Sequence, residues 1–404
     1  MQGKYDLALA HLQAARNALD TETRERQEDE GPLSEYGRGA GCTPLAGPRP
    51  DLSWLSARTF SQRPSTFSVS RVSVTEHLLL LQAQATFDLL LNRGKEAETA
   101  LWQSHQLAAE IGDRSSQAFA LHLIGWIRGW GEHIHEAIRL QKQAHELYLA
   151  VGDPFRAALG DQGLGIIYQA LGEMEQAHLH NERGLERARR YGVRYVLGWL
   201  YCNLGLLALA QGDWSNSESH LQQAMQEAET TNNTRLKPVV LQMQAELHFR
   251  RGNWHEAEEL FQAAISAAAN TEWYASAMTL YGHFLAVTGR KTAAKAQLNR
   301  AAAQTEPVGY AGHFYIPFLA EGYLHVGANE RAAAYIDRIR ALQGFMYYAT
   351  SVDRIRGEVA ALQGDWETAE QAFEEGLSLC LRANNQPEAA SILYEQARTL
   401  LTVS

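Results

Sequence analysis

The histidines are the first residues whose type and spacing suggest chemistry. Seven of the fifteen fall within residues 105–180, and two His-x-His pairs occur there, at residues 133–135 and 178–180. Imidazole nitrogens are frequent zinc ligands. Side chains two residues apart on a helix point about 200° away from each other, so neither pair can chelate an ion from one helix face. Adjacent repeats could still bring His135 and His178 near one another. We favour ordinary surface histidines and predict no metal site.

No complete catalytic motif accompanies the histidines. The Gly-Lys steps at residues 3–4 and 94–95 lack the upstream glycine and the following hydroxyl residue of a phosphate-binding loop, and the glycine run at 37–41 follows no strand. There is no Gly-x-Ser-x-Gly elbow, and no His-Glu pair precedes the second histidine of a zinc protease. A buried thiol such as that of Cys202 is usually inert. We therefore predict neither an enzyme activity nor a cofactor.

Charge and composition exclude further classes of protein. Lys plus Arg total 36 against 46 Asp plus Glu, a formal net charge of −10, which does not suit a general binder of nucleic acid or anionic membranes. Cys42, Cys202 and Cys380 are too far apart for a zinc motif or a disulfide framework. Residues 1–12 lack the features of a secretory signal, and the apolar stretch 195–210 is too short to span a bilayer. We expect a cytoplasmic protein that contacts neither nucleic acid nor membrane.

A repeat of 37 to 40 residues organises most of the chain. Its marker is a recurring glycine, with Glu132 taking the place of one copy. If the marker is position zero, small residues recur seven residues before it and five and twelve residues after it. Large apolar residues recur nine residues after it in the later copies. The markers are Gly94, Glu132, Gly172, Gly212, Gly252, Gly289, Gly327 and Gly364.

Each copy of the repeat is predicted to be a pair of antiparallel helices. A marker glycine can adopt the left-handed conformation that closes the first helix. Small residues at fixed offsets allow the two helices to cross closely. A second set of Gly and Asn residues, such as Gly152 and Asn232, would separate one pair from the next. No segment alternates with a period of two over a useful length, so we predict an all-α fold.

These offsets resemble the tetratricopeptide repeat (TPR), most closely at residues 204–228 and 251–268. The usual TPR period is 34 residues, and the longer period here is similar to that of the sensor arrays of MalT-like, LuxR-type bacterial regulators and related signalling NTPases. The resemblance covers residues 76–404 and implies a right-handed α-superhelix of about eight helical pairs with a C-terminal capping helix at 387–402. It also implies a protein-interaction scaffold or regulatory module, or alternatively the ligand-sensing array of a signalling NTPase or transcription regulator.

The N-terminal part departs from this array. Residues 20–75 hold five of the ten prolines and show no helical periodicity, and we predict a mobile insertion or linker there. Two explanations for the preceding half repeat stay open: the chain is a piece of a larger protein, or its first helix is an irregular cap on the array. The sequence contains no helix-turn-helix domain, so direct DNA binding is not expected. Residues 1–19 match only the second helix of a repeat, through Gly3, Tyr5, Ala8, Leu12 and Ala15.

In the TPR family the first helices line a concave groove, which implies that residues ten and six positions before each marker face a partner. These positions are apolar or carry amides in the N-terminal half, and they include Glu246, Glu321 and Glu358 in the C-terminal half. We predict a peptide along residues 119–290, anchored by Trp126, with its basic part toward the acidic half. The predicted partner-binding residues are His122, Trp126, Trp130, Gln162, Ile166, Cys202, Leu206, Gln242, Glu246, His283 and Glu321.

Two further interpretations of this groove stay open. Trp126 and its apolar neighbours could instead pack only against the adjacent helix. Three amides nine residues after the marker, Gln103, Gln141 and Asn181, could line a pocket for a small-molecule effector, or they could occupy a tolerant position. The carboxylate clamp of some TPR proteins uses Lys and Asn at the inner positions and is not carried over to this chain. Neither the partner's identity nor the oligomeric state follows from the sequence.

Overall fold

The computed structural model describes residues 74–90, 93–129, 133–269, 271–304, 315–338, 345–347 and 349–403. The predicted half repeat, nearly all of the predicted insertion, and Trp130 lie outside these ranges. The first ten helices are α1 (Val74–Leu90), α2 (Gly94–Glu110), α3 (Arg114–Arg128), α4 (Ile134–Ala150), α5 (Pro154–Ala170), α6 (Met174–Arg190), α7 (Arg194–Ala210), α8 (Trp214–Thr230), α9 (Leu236–Arg250) and α10 (Trp254–Ala268). The remaining elements are α11 (Tyr274–Val287), α12 (Lys291–Gln304), α13 (Ile316–His325), α14 (Asn329–Arg338), β1 (Met346–Tyr347), β2 (Thr350–Ser351), α15 (Val352–Gln363), α16 (Trp366–Arg382) and α17 (Gln386–Val403).

Within the described ranges, consecutive helices pack as eight pairs, from α1 with α2 through α15 with α16, and α17 packs on the last pair. The first helices of successive pairs also contact one another, for example α5 with α7 and α11 with α13. The predicted all-α array of about eight pairs with a C-terminal helix is therefore confirmed. Among the described elements, a two-stranded hairpin lies between α14 and α15: Met346 pairs with Ser351 and Tyr347 with Thr350. Strands of two residues are too short to leave an alternating pattern in the sequence.

The turns lie at the two sets of residues that the sequence predicts, the marker glycines within pairs and the Gly and Asn residues between pairs. Within pairs, the marker glycines Gly212 and Gly364 have φ angles of 76° and 78°, in the left-handed region that ends a helix without steric cost. Between pairs, Asn232 and Asn384 take the same conformation, with φ angles of 50° and 51°. Asparagine is among the few residues with a Cβ that visit this region readily.

Aspartates start several of the helices. The carboxylate of Asp153 accepts a hydrogen bond from the backbone N–H of Arg156 over 3.0 Å, and Pro154 occupies the first helical position of α5. Proline is suited to that position because its missing N–H would have no helical partner there. Asp213 and Asp365 cap α8 and α16 in the same way. Such caps satisfy backbone N–H groups that the helix leaves unbonded.

One contact joins the two helices of a pair. The residue seven positions before the marker, here called the small position, receives the side chain nine positions after the marker. A Cβ added at Gly205 would lie 2.9 Å from Cγ of Leu221, and one added at Gly357 would lie 2.7 Å from Cδ1 of Phe373. The absence of a side chain at the small position therefore lets the second helix approach closely.

The array winds back on itself. Gly172, in the turn between α5 and α6, lies against Leu379 and Ala383 at the end of α16. Gly212, in the turn between α7 and α8, lies against Pro387 of α17. In addition, α5 contacts β1 and α7 contacts α17. The last pairs therefore cover part of the third and fourth pairs. None of the described helices combines the length and apolarity needed to cross a bilayer.

Candidate functional site

The candidate site is built from two inner rows, which run through the first helices from α3 onward. All residues of the first row are buried, and in the second row Trp126 and Ile166 keep part of their surface exposed. Eight of the ten described residues predicted to bind a partner are therefore buried in this conformation. Their contact with a partner stays a prediction. The first row is His122, Gln162, Cys202, Gln242, Thr279, Pro317 and Arg354, and the second is Trp126, Ile166, Leu206, Glu246, His283, Glu321 and Glu358.

Two features of the fold lie around these rows. The first helices of successive pairs contact one another, as α5 contacts α7 and α11 contacts α13. The last pairs also fold back over the turns at Gly172 and Gly212. Neither feature follows from the repeat offsets, because the offsets describe contacts within a pair.

Trp126 is held in place by a buried chain of hydrogen bonds. Its indole Nε1–H donates to Nε2 of His122 over 3.2 Å, and Nδ1 of His122 lies 2.8 Å from Oε1 of Gln141. The amide of Gln141 donates back to the carbonyl of His122 over 3.0 Å. Burial lowers the pKa of His122 to about 4, so the ring is uncharged at neutral pH. Because an indole only donates, His122 carries its proton on Nδ1 and donates it to Gln141.

Trp126 and Ile166 lie at the edge of the larger apolar core. A Cβ added at Gly163 would lie 3.5 Å from Cζ2 of Trp126, so the indole reaches from α3 to α5. Both side chains pack against the core that contains Cys202 and Leu206. Each of the two therefore packs on its neighbours and also presents part of its surface to solvent.

The amides of the early pairs bond to one another and to the backbone. Gln141 and Asn181 are fully buried. The amide of Asn203 donates to Oδ1 of Asn181 over 3.0 Å and to the carbonyl of Gln162 over 3.2 Å. The side chain of Asn181 fills the space over Gly165, where a Cβ would lie 2.5 Å from its Nδ2. These hydrogen bonds are polar and neutral, and the role of the amides of Gln141 and Asn181 toward a small molecule stays a prediction.

The middle of the inner rows has local partners as well. The hydroxyl of Ser276 donates to Oε1 of Gln242 over 2.7 Å. Glu246 accepts a hydrogen bond from Nε of Arg250, also over 2.7 Å. Burial raises the pKa of the Cys202 thiol to about 12. The thiol is therefore protonated at neutral pH and is a poor nucleophile.

A buried ion cluster occupies the C-terminal end of the inner rows. Arg354 donates to Glu321 over 2.8 Å, to Glu358 over 2.6 Å and to Glu388 over 2.7 Å. Glu388 also accepts from the backbone N–H of Ser351 over 2.9 Å. These contacts join α13, α15 and α17 through one guanidinium. A buried charge that has several good partners is retained at much lower cost than an unpaired one.

In this cluster the carboxylates of the predicted acidic half are already paired with a cation of the chain itself, Arg354. Burial opposes ionisation of Glu321, but the charges of Arg354 and His283 hold its pKa well below its usual range, and Nε2 of His283 lies 3.0 Å from Oε2 of Glu321. Burial raises the pKa of Glu358 to about 7. Burial lowers the pKa of His325, but its bond to Glu321 and the nearby carboxylates raise it by more. A basic segment of a partner would have to compete with Arg354 for these carboxylates.

Three members of this cluster, Arg354, Glu358 and Glu388, were not among the predicted partner-binding residues. Arg354 stands on the first inner row, and its position among glutamates on neighbouring first helices could be read from the repeat offsets. Glu388 lies on α17, beyond the last marker, and no offset connects it to Arg354.

The histidine-rich region is organised around a buried carboxylate. Oδ1 of Asp161 lies 3.1 Å from Nδ1 of His180 and 3.5 Å from Nε2 of His145, and Oδ2 bonds to Arg187. Within the described ranges, no three His, Cys, Asp or Glu side chains are arranged to hold a metal ion.

The stacked helical pairs give this chain a fold of the TPR type. No protein-family model and no curated protein sequence matches the chain. Among solved structures, Rap protein complexed with competence and sporulation factor is similar at a TM-score of 0.52 and 12% identity, over 76% of this chain and 99% of that one. Aspartyl phosphate phosphatase F from Bacillus subtilis has a TM-score of 0.49 and 15% identity, over 68% and 73% of the chains. Yeast Tom70 has a TM-score of 0.47 and 14% identity, over 84% and 67%.

The Rap structure supports the predicted TPR-type fold, and an identity of 12% carries no more than the fold. The resemblance to MalT-like regulators stays a prediction.

Proposed function

We propose that this chain is a non-enzymatic protein-binding module that holds a partner protein or peptide on the inner surface of its array. The observation that carries the proposal is Trp126, which is partly exposed on the inner rows and fixed through His122 and Gln141. Tryptophan is frequent among the residues that dominate binding energy. A side chain already fixed in one orientation also loses little conformational entropy when a partner binds.

The fold is consistent with such a role. The structural neighbour Rap was solved in a complex with competence and sporulation factor, which is an example of an array of this type holding another molecule. Arrays of stacked helical pairs create extended concave surfaces, and these surfaces serve many kinds of partner. The partner is therefore to be identified by experiment rather than by fold.

The experiment compares two tryptophans. The full chain, immobilised, captures partners from a lysate of its source cells, and each captured protein is then purified. Its affinity is measured by calorimetry for the wild type, Trp126→Ala and Trp254→Ala. Trp254 is 56% exposed at the start of α10, away from the inner rows, and is the matched control. We expect Trp126→Ala to weaken binding about 30-fold, the equivalent of about 2 kcal/mol, and Trp254→Ala to leave it unchanged.

Thermal melting and hydrogen exchange separate binding from packing. If Trp126→Ala lowers the free energy of unfolding by as much as it lowers the free energy of binding, Trp126 is a packing residue. If the partner binds Trp126→Ala as it binds the wild type, the inner-surface proposal is wrong. A partner on the inner surface should slow amide exchange in α3, α5 and α7, whereas a partner on the second helices should protect α4, α6 and α8.

A further inference from the structure

The C-terminal helix α17 carries an exposed apolar stripe. Leu393, Tyr394 and Leu400 are 51%, 67% and 65% exposed, and Ala397 lies between them. Their spacing of three and four residues places them on one face of the helix. The opposite face of α17 is buried against the last pair. No described helix covers the stripe, although a stripe of this kind usually faces a packing partner.

The residues of the stripe stand at the repeat positions where a first helix contacts its second helix. A step of 40 residues from the small position of the last pair leads to Ala397. Leu393 and Leu400 then stand eleven and four residues before the next marker position. In the seventh pair the residues at these two places, Ile316 and Tyr323, are 1% and 0% exposed. They are buried because they flank the small position on the face that meets the second helix.

Residues 1–19 carry the pattern of such a second helix. Gly3 is the marker, and Leu12 stands nine residues after it. In the described pairs, the side chain at this place lies over the small position of the first helix: a Cβ added at Gly282 would lie 2.9 Å from Cδ2 of Leu298. By the same rule, Leu12 is the side chain that fits over Ala397.

We propose that residues 1–19 of one copy of the chain pack on α17 of a second copy and form the second helix of a ninth pair. Leu12 lies over Ala397, and Leu393 and Leu400 become buried beside it. The contact is head-to-tail, so each copy offers one helix to the next copy and receives one from the previous copy. Residues 1–19 also precede α1 in the chain, where a second helix belongs in the order of the array. The two arrays thereby become one continuous array.

The test uses the full chain and three variants in which a leucine becomes a glutamate. Leu400→Glu alters the stripe, Leu12→Glu alters the incoming helix, and Leu381→Glu is the control, because Leu381 is 56% exposed at the end of α16 and outside the stripe. Mass is measured by light scattering over a wide range of protein concentration. We expect the wild type and the control to rise above the single-chain mass of 45.0 kDa with concentration. Leu400→Glu and Leu12→Glu should each remain single chains.

The mixture of the two variants is the decisive measurement. A Leu400→Glu chain keeps residues 1–19 unchanged, and a Leu12→Glu chain keeps α17 unchanged. Their mixture should therefore form a species of two chains and nothing larger. A mixture that stays monomeric would overturn the proposal, because the mixture supplies one unchanged copy of each face. A contact between two identical faces would not be restored by mixing the two variants. A wild type that keeps the mass of one chain at every concentration would overturn it as well.

A disulfide between two introduced cysteines shows whether residues 1–19 contact α17 of their own chain or α17 of a second copy. The double variant Leu12→Cys with Ala397→Cys, made with Cys42→Ser, is oxidised at a concentration where the wild type associates. Disulfide-linked dimers and larger species are expected. A disulfide that joins the two positions within one chain would place the helix on its own α17 and contradict the proposal. Circular dichroism of every variant establishes that the substitutions leave the helical content unchanged.

Discussion

The two halves of the array bury polar groups in different ways. In the N-terminal half, His122 on the inner rows and the second-helix residues Gln141 and Asn181 are buried as neutral, hydrogen-bonded groups. In the C-terminal half, the corresponding rows hold Arg354 among carboxylates such as Glu321. Neutral groups that are fully bonded add rigidity at little cost, whereas a buried ion depends on its whole set of partners. The C-terminal half should therefore respond more strongly to substitution and in the opposite sense to pH.

The largest effect is expected for Arg354→Met. Removal of the guanidinium leaves the buried carboxylates of Glu321, Glu358 and Glu388 without their shared cation, which should cost about 3–5 kcal/mol of unfolding free energy. Urea unfolding followed by circular dichroism measures the loss, and hydrogen exchange should locate it in α13, α15 and α17. Arg382→Met, at an exposed arginine on α16, is the control and should change stability by less than about 0.5 kcal/mol. A similar small change for Arg354→Met would show that the cluster does not stabilise the array.

Acidification should weaken the N-terminal half. The pKa of His122 is about 4 in the folded chain and 6.5 as its ordinary value, so between these pH values the unfolded chain binds a proton that the folded chain does not. Stability from this group is therefore full above pH 6.5 and falls as the pH drops toward 4, by about 3 kcal/mol. Hydrogen exchange of α3 and α4, corrected for the intrinsic pH dependence of exchange, measures the loss. His122→Asn removes the titration, and an unchanged slope in that variant would assign the effect to other groups, such as His145.

The C-terminal half contains a group with the opposite slope. Burial raises the pKa of Glu358 from 4.5 to about 7, so the folded chain keeps a proton that the unfolded chain loses. This contribution to stability is full below pH 4.5 and is lost as the pH rises to 7. Glu358→Gln removes the charge and leaves an oxygen for Nη1 of Arg354. It should therefore stabilise the chain above pH 7 by about 1–3 kcal/mol and have little effect below pH 4.5.

Urea denaturation at the two pH values tests this expectation. The matched control is Glu321→Gln. Because the pKa of Glu321 is held well below its usual range, its carboxylate stabilises the folded chain above pH 4.5, and this variant should destabilise it there. If Glu358→Gln also destabilises the chain above pH 7, the cluster needs both negative charges, and the proposed difference between the two glutamates is wrong.

The parts of the fold that the sequence predicts are those formed by neighbours in the chain. The small position of Gly205 and the large side chain of Leu221 belong to adjacent helices, so their contact recurs at a constant spacing and leaves a periodic pattern. The contact of Gly172 with Leu379 joins the third pair to the last pair. No periodic pattern records a contact between such distant repeats.

The candidate site divides in the same way. Trp126 was predicted on the inner rows, and its bond to His122 joins residues four apart on one helix, which the helical spacing allows. The bond from Arg354 to Glu388 joins the last pair to α17, which carries no marker, so the repeat offsets could not reveal it. The pKa of His122 likewise depends on burial, which the residue type alone does not specify.

The smallest effect is expected at a neutral hydrogen bond in the middle of the inner rows, between Ser276 and Gln242. Ser276→Ala removes the donor to Oε1 of Gln242 and leaves that oxygen buried, while the amide of Gln242 still donates to the carbonyl of Pro238 over 3.0 Å. The loss of one neutral hydrogen bond should cost about 1 kcal/mol. Ser266→Ala is the control, because the exposed Ser266 bonds only within its own helix. Urea unfolding of both variants and of Arg354→Met measures the loss of unfolding free energy in each. If the loss in Ser276→Ala is as large as that in Arg354→Met, the neutral and the ionic parts of the inner rows are equally sensitive to substitution. The contrast between the two halves would then be wrong.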